Sequence, residues 1–111
     1  MAEINDGNKK NSFVDSDDPT FLAVKGYFDD KLVAKKYVKN LAKAILVVNQ
    51  KHNMVKLRCI GAASLNNAIK AIIIAINEGE LDLTITPSFT SVVFDGDVDR
   101  TAIVLQVSVP T

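Results

Sequence analysis

The sequence predicts a two-layer α/β domain (α+β type) in the order β-α-β-α-β-β, with two helices on one face of a four-stranded sheet. Three observations lead there. Two long segments repeat apolar residues at helical spacing between recognisable caps. Four shorter segments alternate, or run apolar, as strands do. The chain has 111 residues, 48% of them hydrophobic and 23% charged, which suits one domain with one core.

Residues 1–19 are rich in Asn, Asp, Lys and Ser and poor in apolar groups. This predicts a disordered polar tail ahead of a domain over residues 20–111. The tail also lacks the apolar stretch of a secretory signal. Phe21-Leu22-Ala23-Val24 is a short apolar run, read as the first strand. Asp29 and Asp30 offer N-cap oxygens for the first helix. Ala34, Val38, Leu41, Ala42, Ile45 and Val48 make its core stripe, with Lys36, Lys39, Asn40 and Lys43 on the other side. Asn53 begins the turn out.

Met54–Ile60 alternates, with Val55, Leu57 and Cys59 toward the core and Lys56 and Arg58 away from it. After the small-residue turn Gly61–Ser64, Ser64 is expected to cap a second helix and Gly79 to stop it. Ile69, Ile72, Ile73 and Ile76 form an i, i+3, i+4, i+7 stripe expected to face the core. Ile74 is then left pointing away, as a contact for a homodimer. Leu81, Leu83 and Ile85 open a third strand in which Pro87 marks an edge or a bend. Asp95-Gly96 signals a turn, and Ile103, Leu105, Val107 and Val109 alternate along a fourth strand.

The groups an enzyme needs are scarce. Cys59 lies on the inward side of a strand and reads as a small buried hydrophobe; His52 reads as a solvated helix-end residue. No nucleophile–base pair is present, so no catalytic residue is expected. Neither a cofactor nor a metal is expected: no Cys/His cluster has zinc spacing, and Asp95, Asp97 and Asp99 lack the closing ligands of a calcium loop. No run approaches 18 apolar residues, so no membrane span is expected.

Net charge is zero, but the charges are segregated. Nine cations and no acid lie between Lys31 and Lys70, while the other four cations share the chain with all 13 acids. Such an asymmetry suits an anionic partner. The cations of interest are Lys36, Lys39 and Lys43 on the first helix, Lys56 and Arg58 on the second strand, and Lys70. The turn at Gly61, with Asn66 and Asn67 following, sits between a strand and a helix. Spacing leaves two readings of it: close packing of small residues, or backbone N–H groups aimed at an anion.

Ile60-Gly61-Ala62-Ala63-Ser64-Leu65-Asn66-Asn67-Ala68-Ile69-Lys70-Ala71-Ile72 carries a family resemblance. So do Pro87-Ser88-Phe89-Thr90, Asp95-Gly96 and Arg100-Thr101-Ala102-Ile103. Over about Thr20–Val109 the chain resembles the stage V sporulation protein S family, whose members have an Alba-like fold. The resemblance implies that fold, kinship in shape with nucleic-acid binders that commonly act as dimers, and a role in sporulation or developmental regulation. The sequence departs from the family pattern in having Ala63 at the second loop glycine, a Lys-rich first helix and an acidic hairpin tip. Together these readings point to a non-enzymatic regulatory protein that binds DNA or RNA through phosphate as a homodimer. Such a protein would be cytoplasmic, or nuclear in a eukaryotic host. The alternative is a regulatory protein–protein interaction module without nucleic acid.

Overall fold

A computed structural model describes residues 17–94 and 98–110. The expected disordered tail falls almost entirely outside them, as do the turn at Asp95-Gly96 and Asp97. The elements are β1 (Phe21–Val24), α1 (Lys31–His52), β2 (Met54–Cys59), α2 (Ala62–Gly79), β3 (Thr84–Phe94) and β4 (Val98–Ser108). The predicted order and class hold. The sheet runs β1-β2-β4-β3, with β1 parallel to β2 and the other pairs antiparallel.

The alternation in β2 sets the two layers. Val55, Leu57 and Cys59 are buried; their register partners Leu22 and Val24 on β1, and Leu105 and Val107 on β4, continue the same buried rows. Val38, Leu41, Ala42 and Ile45 of α1 close over them, so both helices lie on this face. Asp30 caps α1 as expected, its Oδ1 accepting from the N–H of Leu32 at 2.7 Å and of Val33 at 3.4 Å. Asp30→Ala is expected to cost about 1 kcal/mol of stability, measured by urea denaturation. Asn53 ends α1 in the left-handed region at φ 66°.

Four details of the sequence reading are corrected. First, α2 buries only half of its isoleucine stripe: Ile72 is buried and Ile76 packs against the core. Its buried face is Ser64, Asn67, Ala68, Ala71, Ile72 and Ala75, while Ile69 and Ile73 are 37% and 52% exposed. Hydrogen bonds at its N-terminus anchor that rotation. The Asn67 amide donates to the carbonyls of Lys25 and Gly26, both at 3.0 Å, and alanines let the helix approach closely. Second, the same rotation turns Ile74 inward, where it is half-buried against the core. Third, Ser64 does not cap α2. Gly61 occupies that position, and the buried Ser64 hydroxyl donates to the carbonyls of Ile60 (2.9 Å) and Gly61 (3.0 Å). Fourth, Gly79 is the last helical residue and the left-handed stop is Glu80, at φ 52°. Gly79 serves a close approach instead, since a Cβ there would lie 2.8 Å from Leu46 Cδ2.

The third strand begins at Thr84, later than Leu81, and runs unbroken through Pro87, which the sheet order places on an edge strand as predicted. The helices pack chiefly over β1 and β2. The helix-side row therefore runs out into solvent on β3, where Phe89, opposite Ile103, is 79% exposed.

Candidate nucleic-acid interface

Helical geometry gathers part of the cationic segment. Lys36, Lys39 and Lys43 recur at i, i+3 and i+7 on α1, so they line one exposed face of successive turns. None makes an ion pair with a described residue. Lys39 also reaches the groove between the helices, where it meets Lys31 and Lys35 of α1 and Lys70 of α2. Of the candidates named from sequence, Lys39 and Lys70 are therefore brought together, with Lys36 and Lys43 beside them.

Lys56 and Arg58 stand elsewhere. The alternation that buries Val55, Leu57 and Cys59 points these two cations to the face of the sheet without helices. Lys56 Nζ lies 3.7 Å from Asp18 Oδ2, and the Arg58 guanidinium sits 5.6 Å from the centre of the Phe21 ring. The Asp18 carboxyl is held below its ordinary range, chiefly by the Thr20 hydroxyl that donates to it at 2.7 Å. Sequence grouped these cations together; the fold places them on two opposite faces.

The turn before α2 takes an unusual backbone. Gly61 adopts φ 88°, a conformation open to glycine but strained for other residues, and no side chain caps the helix that follows. Gly61, Ala62 and Ala63 are exposed, so the helix N-terminus presents N–H groups and its dipole to solvent. Asn66 is exposed one turn on. Asn67 is different: it is buried, and its amide nitrogen ties the β1–α1 loop to α2. The turn is closely packed at Ser64 and Asn67 and exposed at Gly61–Ala63.

That β1–α1 loop is the part of the site the sequence reading missed. Gly26 lies against the start of α2, Lys25 Nζ stands 4.9 Å over the Phe28 ring, and Tyr27 is 74% exposed. A Lys-Gly-Tyr-Phe run in a short loop after a strand was the signal that could have found it. The exposed Tyr27 ring and the exposed Lys25 in one short loop suit stacking on a base as well as phosphate contact.

The rest of the chemistry is sparse. Cys59 is buried, and burial pushes its thiol up to about 11, which keeps it protonated and unreactive at neutral pH. His52 is exposed in the last turn of α1. Among the described residues, no three His, Cys, Asp or Glu side chains are grouped to hold a metal, and no helix is long and apolar enough to cross a membrane. In a comparison with known families, residues 31–110 match the family described as Stage V sporulation protein S.

Proposed function

The chain belongs to the stage V sporulation protein S family, and from that premise we propose that it is a non-enzymatic regulatory protein that binds nucleic acid through phosphate. The observation that carries the reading is the exposed lysine face of α1, within a stretch from Lys31 to Lys70 that contains no acid. A phosphate backbone satisfies such a face without demanding any particular base, so the proposed binding is weak in sequence preference. The open N-terminus of α2 with Asn66 and Lys70, and Tyr27 in the neighbouring loop, would supply the remaining contacts.

Homodimer formation and a cytoplasmic location complete the proposal. Two copies would double the lysine face, which raises avidity without a new type of contact. With Ile74 turned inward, Ile69, 37% exposed, is left as an apolar residue of α2 for such a contact.

The test is titration with DNA and RNA oligomers across a salt series. Affinity is expected to fall with a log–log slope of about 0.9 per phosphate contact on duplex DNA. Absence of binding to either polymer at low salt would reject the proposal. The two faces are separated by variants. Lys56→Ala with Arg58→Ala is expected to leave affinity within about twofold, because a cation on the far face contributes only a screened field.

A further inference from the structure

Between α1 and α2 runs a groove of about 580 Å³ whose chemistry differs from that of a phosphate site. Its floor is apolar, made by Ala34 and Val38 of α1 and Ile73 and Ile74 of α2. Its rim is cationic, made by Lys31, Lys35, Lys39 and Lys70, all exposed. No acid lines it, and none of the four lysines makes an ion pair with a described residue. Phosphodiester needs the rim but has no use for the floor. Nor does the floor offer an aromatic ring on which a base could stack.

We propose that this groove is a docking site for an acidic amphipathic helix of a protein partner. Three features select that occupant. Lys31, Lys35 and Lys39 follow one another at single-turn spacing and spread positive charge over about 12 Å of helix axis. They ask for carboxylates repeated along a ligand rather than for one anionic head. The floor between the rims takes an apolar stripe, which is how a helix is read in a groove. The groove is only partly enclosed, so a lipid tail would stay partly wet there, whereas a helix needs only one face covered. Lys39 and Lys70 belong to this site and to the proposed phosphate surface, so peptide and nucleic acid would compete.

The experiment uses the full chain and fluorescence anisotropy. The probe is a labelled helical peptide with leucines on one stripe and glutamates flanking it. A scramble of the same composition and an oligoglutamate serve as controls. The amphipathic peptide is expected to bind about tenfold more tightly than either control, the increment of one well-buried apolar side chain. Ile73→Asp and, independently, Lys35→Glu at the exposed rim are each expected to weaken the peptide by a similar factor. Unlabelled oligonucleotide, if it binds, is expected to displace the peptide, and Ile73→Ala, which adds no charge beside Lys39 and Lys70, is expected to leave the oligonucleotide's own affinity unchanged. Equal binding of oligoglutamate would overturn the proposal, since charge alone would then explain the surface. So would Ile73→Asp without effect on the peptide. A homodimer that Ile73→Asp splits, seen by sedimentation, would assign the groove to a second copy instead. Nucleic-acid binding is measured separately, so either reading can fail alone.

Discussion

Reversing Lys36, Lys39 and Lys43 together to glutamate is expected to lower nucleic-acid affinity by about 100-fold or more at low salt, and to flatten the salt dependence by about 0.9 for each phosphate that is no longer neutralised. The three lysines stand on one exposed face of α1 and none is paired with a described acid. Each reversal removes a released counterion and adds a repulsion, so the effects accumulate in one direction. Because the positions are exposed, stability is expected to change by only about 0.5 kcal/mol per site. Failure to bind can then be told from failure to fold by circular dichroism on the same sample. The double variant on the far face, Lys56→Ala with Arg58→Ala, is compared with Lys36→Ala with Lys39→Ala, which removes the same charge. Equal weakening by these two pairs would mean that overall charge, not the helix face, governs binding.

The largest effect on the fold from a single methyl group is expected at Gly26. A Cβ there would lie 2.7 Å from the backbone nitrogen of Ser64 and 3.0 Å from Ala63 Cβ. Neither side can easily retreat. The loop is held by Asn67, which donates to the carbonyls of Lys25 and Gly26, and by the Tyr37 hydroxyl, which accepts the Lys25 N–H at 2.7 Å. The other side is the first turn of a helix whose next residues are buried. Gly26→Ala is therefore expected to cost about 1–3 kcal/mol, the range for overpacking a close contact. It would also move the loop that carries Tyr27 away from α2. Urea denaturation checks the first effect, and a shift of less than about 0.3 kcal/mol, within the usual scatter of surface changes, would contradict the close approach.

The sheet and the first helix were legible because each had a pattern that excludes alternatives. In β2, alternation puts Val55, Leu57 and Cys59 on one side, and a strand has only two sides. In α1, one apolar stripe opposes one lysine face, and Asp30 marks the start. α2 was misread in rotation because it is apolar almost all round. Counting isoleucines selects Ile69 and Ile73, whereas shape selects Ala68, Ala71 and Ala75, and hydrogen bonds from Asn67 anchor the choice. Nothing local to α2 encodes those bonds, since their acceptors lie far back in the chain at Lys25 and Gly26. The candidate site was legible as a set of charges but not as a surface. Period-two geometry separates Lys56 and Arg58 from the helix lysines, and only the fold brings Lys70 beside Lys31 and Lys35.

Pro87 has a consequence for how copies of the chain can meet. β3 is an edge strand of eleven residues with exposed Ile85, Phe89 and Val93 on one side, a composition that invites another strand to add to it. A proline near the middle of that edge has no N–H, so an incoming strand would find its hydrogen-bond ladder interrupted there. Growth of one sheet into the next, the first step toward fibrils, is thereby discouraged. Association through the β3 backbone edge is the route that Pro87 obstructs; association through side-chain surfaces stays open.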